Sequence, residues 1–252
     1  MELFLALIIA FFAGLVDAIA GGGGLIQVPG LLWLYPQMPV ATMLGTNKVA
    51  SCFGTAVASG HFLRHLKIPL RKILPIMLGS FIFSFFGAKL ATLLDNQILK
   101  PLIFSLLILV GLYAFFNKKL GLTTRETCYS TKKTTVYAIL ISSALGFYDG
   151  FLGPGTGSFL IFSFISCLGF DFLRGSAYAK FCNLASNLGA ILLFSITGHV
   201  IWHLAFAMAV FNVLGNMVGA KLAIRKGSQF VRLVFLMVVL LLVLQLGYKL
   251  FS

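Results

Sequence analysis

Apolar stretches follow one another along almost the whole chain, and short polar or glycine-rich segments separate them. In each half, a glycine-rich break joins the first two stretches, and we interpret each joined pair as a helical hairpin. The second piece, 25–35, would rise only about 16 Å as a helix, which is half of a bilayer. The apolar stretches are 3–20, 25–35, 41–61, 73–94 and 98–116, followed by 136–152, 159–168, 174–195, 200–224 and 230–251.

Each break follows an acidic residue that lies in apolar sequence. Asp17 precedes four consecutive glycines at 21–24, and Asp149 precedes a Gly-Pro-Gly-Thr-Gly segment at 153–157. Each glycine costs about 1 kcal/mol relative to alanine inside a helix, so the backbone is expected to break at both places. Broken backbone at membrane depth requires protein or a polar cavity around it. A carboxylate there is costly, which marks both acids as functional candidates.

The two breaks belong to a repeat that covers most of the chain. The matched positions are 132 residues apart without a gap, and they include charged residues that generic similarity between apolar helices does not explain. This register indicates two homologous halves, 1–116 and 136–252, joined by a basic linker at 117–135 within one membrane domain. The clearest matches are Gly14 with Gly146, Asp17 with Asp149, Lys48 with Lys180, and Gly-Ala-Lys-Leu at 87–90 with 219–222.

The composition is that of a multi-pass membrane protein. Hydrophobic residues make up 60% of the chain and charged residues only 10%, whereas soluble domains carry about 25% charged residues. The net charge of +13 does not indicate a nucleic-acid partner, because the basic residues lie in short clusters between apolar stretches. The cysteines lack metal-ligand spacing, and no hydrolytic or nucleotide-binding motif occurs. We therefore expect no cofactor, no metal and no enzymatic activity.

The basic clusters decide between two topologies. Thirteen of the 19 Lys and Arg residues lie at 64–72, 118–133 and 221–232. Eight plain spans would place the third cluster opposite the other two, against the positive-inside rule. If both hairpins are re-entrant, all three clusters are cytoplasmic and the second half is inverted relative to the first. The predicted fold is thus an all-α integral membrane protein of two inverted repeats. Each repeat has a glycine-broken re-entrant hairpin and three transmembrane helices, which makes about eight apolar segments in all when each hairpin counts as one.

Donor groups cluster around the two breaks. The N–H groups at the start of a short helix, together with the helix dipole, attract anions, and Lys48 and Lys180 add positive charge. The alternative is that the lysines only neutralise Asp17 and Asp149 in buried pairs. We assign ion coupling to the two acids, because a carboxylate would repel a bound anion. The candidate substrate-binding residues are Gly21, Gly22, Gly23, Gly24, Asn47, Lys48, Ser51, Gly153, Gly155, Gly157, Lys180, Asn183 and Asn187.

These paired motifs resemble the TauE/SafE sulfite exporter family, also called the toluene-sulfonate-uptake-permease superfamily. The resemblance rests on Gly14-x-x-Asp17 with its four glycines and on Gly146-x-x-Asp149 with its Gly-Pro break, and it extends nearly end to end. It is strongest to inner-membrane permeases of Gram-negative bacteria. It implies transport of a sulfur-containing anion such as sulfite, a sulfonate or sulfoacetate, driven by an ion gradient, but fixes neither substrate nor direction. Pro154 in the second break means that the hairpins need not contribute equally.

The leading hypothesis is a secondary transporter of a small anion in the bacterial inner membrane, with the lipid bilayer and the anion as its partners. An intramembrane enzyme that uses Asp17 and Asp149 as an acid and base pair is a second possibility, and a passive anion channel is a third. Acids related by a repeat suit alternating access better than asymmetric catalysis. The oligomeric state is left open.

Overall fold

The computed structural model describes residues 1–66, 70–95, 97–99, 101, 105 and 131–251. These residues form helices and contain no strand, so the predicted all-α class is confirmed. Within this part of the chain, four helices are long and apolar enough to cross a membrane: Glu2–Ala20, Ile73–Leu93, Phe172–Ile196 and Trp202–Gly227. The helices are α1 (Glu2–Ala20), α2 (Gly23–Leu34), α3 (Val40–Leu66), α4 (Leu70–Leu93), α5 (Thr131–Phe151), α6 (Thr156–Leu168), α7 (Phe172–Ile196) and α8 (Trp202–Phe251).

Several segment boundaries differ from the predicted ones. Gly227 has non-helical backbone angles inside α8, so the two apolar stretches predicted there are two helical pieces that meet at a kink. Residues 131–135 were assigned to the linker but form the first turn of α5. The rest of that linker, and most of the stretch 98–116, lie outside the described residues.

The first hairpin turns within two residues. α1 ends when Gly21 adopts a left-handed conformation (φ 72°) and its N–H donates to the carbonyl of Asp17 (2.9 Å). α2 then returns along α1, and the two helices lie close together. A Cβ at Gly23 would lie 2.7 Å from the Ala13 carbonyl oxygen, and one at Gly30 would lie 2.9 Å from Ile9. The two helices therefore form an antiparallel hairpin.

The breaks are shorter than the glycine runs that predicted them. In the second hairpin the non-helical backbone is 152–155, with Gly153 and Gly155 left-handed at φ 86° and 82°. Gly23, Gly24 and Gly157, which we expected to be non-helical, instead lie in the first turns of α2 and α6. The physical reason is that one or two left-handed residues suffice to reverse the chain. Glycine in the first turn of a helix interrupts no hydrogen bond of that helix, since the N–H groups there have no partner within the helix.

One helix of each half packs among the helices of the other half. α8 packs against α1 and α3, and α4 packs against α5 and α7. The two arrangements match at the repeat offset: a Cβ at Gly219 would meet the Leu15 carbonyl, and one at Gly87 would meet the Phe147 carbonyl. Such close backbone approach at small residues is the usual way in which membrane helices associate. We call α1, α2, α3 and α8 the Asp17 bundle and α4, α5, α6 and α7 the Asp149 bundle.

Candidate functional site

Two ion pairs join the bundles where they meet. Lys48 Nζ on α3 lies 2.7 Å from Asp149 Oδ1 on α5, and Lys180 Nζ on α7 lies 2.7 Å from Asp17 Oδ2 on α1. Each lysine therefore pairs with the acid of the other half. The two pairs exchange under the repeat offset, so they form one reciprocal arrangement.

Both pairs are removed from solvent. The side chains of Lys48 and Asp149 are 3% and 2% exposed, and those of Lys180 and Asp17 are 0% and 10% exposed. A buried charge is tolerated when it is paired, and each charge here has an opposite charge at hydrogen-bond distance. The buried pairing that we considered from the sequence is thus present in this structure.

The glycine turns lie in direct contact with each other. The Ser158 N–H donates to the Gly21 carbonyl (3.1 Å), and the Ser158 hydroxyl donates to the Ala20 carbonyl (2.9 Å). A Cβ at Gly21 would meet the backbone of Gly157, which explains why both positions need glycine. The two turns are therefore packed backbone to backbone.

The ion pairs and the turns form one site. A Cβ at Gly153 would lie 3.2 Å from Lys48 Nζ, and one at Gly23 would lie 2.5 Å from the Asp17 Cβ. The start of α2 therefore lies against Asp17, and the ammonium of Lys48 lies against the turn that precedes α6. This arrangement brings two lysine ammonium groups, two carboxylates and the starts of two short helices close together.

The remaining polar residues that we predicted lie on α3 and α7, the helices that carry Lys48 and Lys180. Among the described residues, no hydrogen bond joins Asn47, Ser51 or Asn187 to either pair, although Asn47 and Asn187 are buried. Asn47 Oδ1 and Asn187 Nδ2 have no hydrogen-bond partner in this part of the chain. Asn183 contributes its carbonyl, which lies 3.0 Å from the Ser186 hydroxyl. These amides leave hydrogen-bonding capacity free around the site.

Two features were not predicted. The Ser186 hydroxyl donates to Asp149 Oδ2 (2.5 Å). In addition, a chain of buried amides runs from Asn216 to Asn212 (2.8 Å) and on to Gln27 (3.0 Å) in the Asp17 bundle. Amides in apolar stretches are a sequence signal in themselves, because polar groups inside the membrane need partners. Nothing in the sequence states which partners they find.

Comparison with known proteins gives a consistent result. A family model described as "Sulfite exporter TauE/SafE" matches residues 6–246. A "Probable membrane transporter protein" of Haemophilus influenzae is 40% identical over 224 residues, which is 89% of this chain and 86% of the relative. The "Probable membrane transporter protein YfcA" of Escherichia coli K12 is 36% identical over 225 residues, covering 89% and 81%. No solved structure matches.

Proposed function

This chain belongs to the sulfite exporter TauE/SafE family of membrane transporters, and from that premise we propose that it carries a small sulfur-containing anion across the bacterial inner membrane by ion-coupled secondary transport. The family and its named relatives are transporters, so the protein is a membrane transporter and not an enzyme. The single observation that supports the finer proposal is the pair of buried Lys–Asp bridges at the two glycine turns.

The proposed site binds the anion through Lys48 and Lys180, assisted by the N–H groups of the turns. An anion leaving water loses its hydration, and a buried ammonium offsets that loss. In the empty site each lysine is neutralised by Asp149 or Asp17. An arriving anion competes with the carboxylate for the lysine, and a proton that neutralises the displaced carboxylate keeps the net charge of the site unchanged. The competition couples anion binding to proton uptake at the acids.

We propose alternating access through the two halves as inverted repeats. The arrangement of α3 and α7 supports this: the Ile201 N–H donates to the Thr46 hydroxyl (3.0 Å), and a Cβ at Gly45 would meet the His199 carbonyl. The start of α3 thus lies beside the end of α7, as expected for equivalent helices that run in opposite directions. Inverted repeats with broken helices at their interface are a recurrent secondary-transporter architecture.

Uptake into proteoliposomes tests the function. The purified protein would be assayed with sulfite, thiosulfate, sulfoacetate and taurine, with and without a pH gradient. Accumulation against a concentration gradient that depends on the pH gradient supports the proposal, whereas uptake that only follows the anion gradient indicates a channel. Chemical conversion of an anion would indicate an enzyme.

The lysines provide the matched comparison in that assay. Lys48→Ala and Lys180→Ala should each reduce uptake at least about tenfold, because each removes about 1.4 kcal/mol or more of anion binding. Lys89→Ala, at an exposed lysine, is the control and should transport like the native protein. Normal uptake by both site variants would show that the lysines are structural.

Cysteine labelling tests the inverted repeats. In a background without native cysteines, Lys133→Cys and Lys226→Cys should react with a membrane-impermeant reagent only from the cytoplasmic side. Gln37→Cys, in the exposed loop after α2, should react only from the periplasm. If Lys133→Cys and Lys226→Cys react from opposite sides, the inverted-repeat proposal is wrong.

A further inference from the structure

The two carboxylates are held differently although they occupy equivalent positions. Asp149 uses both of its oxygens: Oδ1 pairs with Lys48, and Oδ2 accepts from the Ser186 hydroxyl at 2.5 Å. Asp17 pairs with Lys180 through Oδ2 only, and Oδ1 accepts no hydrogen bond from any residue that the structure describes. The Asp17 side chain is 10% exposed, against 2% for Asp149. One carboxylate is fully bonded, and the other has one oxygen open.

The difference has a cause in the sequence. At the repeat offset, the position of Ser186 is taken by Gly54, which has no side chain to donate. A side chain there is also excluded, because a Cβ at Gly54 would meet Asn212 Oδ1 and Asn216 Nδ2. The amides of α8 thus fill the space where the other bundle has its serine, and they leave Asp17 with a single partner.

We infer that Asp17, and not Asp149, is the group that exchanges the coupling proton, and that Lys180 is the lysine released to the anion. This inference rests on the proposed function. A proton can add to Asp17 Oδ1 without changing any hydrogen bond among the described residues. At Asp149 both oxygens already accept bonds that stabilise the ionised carboxylate, one from Lys48 and one from the Ser186 hydroxyl.

The charges balance in this scheme. In the empty site, Lys180 and Asp17 carry one positive and one negative charge. When a proton bonds to Asp17 Oδ1, the acid becomes neutral, and a monovalent anion then takes its place beside the Lys180 ammonium. The net charge of the site is zero before and after, so no uncompensated charge is buried at either stage. One proton accompanies each monovalent anion.

The surroundings of the two acids contain the same charges. Lys180 on α7 and Lys48 on α3 act on both carboxylates. α2 and α6 have no charged side chain, and α8 presents the uncharged Asn212 and Asn216 to α1. On the side of Asp149, α4 presents hydroxyls and carbonyls of Ser80 and Ser84 to α5 and α7. The open oxygen of Asp17 is therefore what distinguishes it from Asp149.

Infrared difference spectroscopy tests the assignment on the full-length protein in lipid, without knowledge of the substrate. Spectra recorded between acidic and neutral pH should show a protonated-carboxyl band in the native protein that persists in Asp149→Asn and is lost in Asp17→Asn. Asp17→Glu, which keeps the charge, should retain the band at a shifted frequency and so controls for misfolding. A band that survives in Asp17→Asn, or that disappears only in Asp149→Asn, overturns the inference.

Ser186→Ala sharpens the test, because it opens Asp149 Oδ2 without changing either acid. This variant should gain a second titrating carboxyl, and the added band should be lost when Asp149→Asn is combined with it. An unchanged spectrum would mean that the serine does not hold Asp149 ionised, and the inference would fail. The proposed anion site would survive that outcome, since it is tested separately by uptake in the Lys48 and Lys180 variants.

Discussion

Amide side chains join the helices of the Asp17 bundle, and hydroxyl side chains join those of the Asp149 bundle. α8 and α4 are the helices that pack against the other half. At equivalent positions, α8 carries Asn212 and Asn216, and α4 carries Ser80 and Ser84. The serines donate to the carbonyls of Cys182 and Ser186 at 2.9 and 2.6 Å. The asparagines donate along a chain of side chains that ends at Gln27, for which the Asp149 bundle has a phenylalanine.

The comparison shows how one backbone plan can give two unequal sites. A serine hydroxyl that donates to a helix carbonyl is satisfied locally. An amide chain instead leaves its ends free, here Gln27 Nε2 and Asn216 Oδ1. Among the described residues, five of the seven buried polar atoms without a partner lie in the Asp17 bundle. Unsatisfied groups in low dielectric are costly and favour rearrangement, so we expect the Asp17 bundle to change more during transport.

The largest expected effect is the loss of a buried charge partner. Lys48→Ala should lower the free energy of unfolding by about 3–5 kcal/mol, because it leaves Asp149 buried and uncompensated. Lys180→Ala should cost less, since the Asp17 side chain is 10% exposed, against 2% for Asp149, and its Oδ1 is open to a proton. The double variant Lys48→Met/Asp149→Leu should recover most of the stability but not transport. Equal costs for the two lysines, measured by unfolding in lipid or detergent, would contradict the inequality of the sites.

The contact between the turns should be nearly as sensitive. Gly21→Ala places a Cβ against the Gly157 backbone at a left-handed residue, which we expect to cost about 1–2 kcal/mol for the conformation and a further 1–3 kcal/mol for overpacking. Gly198→Ala is the control: its φ of 73° is close to the 72° of Gly21, but nothing lies within 4 Å of a Cβ there. The difference in unfolding free energy between the two variants isolates the turn contact, and a difference near zero would show that the turns separate readily.

Copying the serine into the other bundle should fail for steric reasons. Gly54→Ser should destabilise the protein by about 1–3 kcal/mol, since its Cβ meets Asn212 and Asn216 before its hydroxyl can reach an acid. Gly60→Ser, on the same helix with open space at the Cβ, should be close to neutral in the same unfolding assay. If Gly54→Ser were as stable as Gly60→Ser, the amides would not be what excludes a serine here.

The last comparison concerns the polar side chains of α8 and α4, where Ser80→Ala should show the smallest effect of all. Asn212→Ala should cost about 1–3 kcal/mol, because it removes the donor to Gln27 Oε1 and one of the two acceptors of Asn216 Nδ2. Ser80→Ala should cost only about 0.6 kcal/mol, typical of a single hydrogen bond between membrane helices. The unfolding free energies of the two variants show in which bundle a buried polar side chain contributes more to stability. A larger cost for Ser80→Ala would reverse the comparison.

Local features of the fold were predictable because they depend on short stretches of chain. The glycine runs after Asp17 and Asp149 predicted the breaks, since glycine weakens a helix wherever it occurs. The prediction went too far at Gly23, Gly24 and Gly157, which join the following helices. Sequence shows where a helix is weak, whereas the number of residues needed to reverse the chain depends on the hairpin that forms.

The sequence by itself determined the register of the repeat, the hydrophobic segments and the residue types that had to be buried together, because periodicity and charge are properties of the chain alone. Only the tertiary structure decided which partners meet. Lys48 pairs with Asp149 and not with Asp17 because the halves interlock through α4 and α8, so the nearest carboxylate belongs to the other half. The role of Ser186 was decided in the same way, since a hydroxyl acquires a partner only when packing brings one within hydrogen-bond distance.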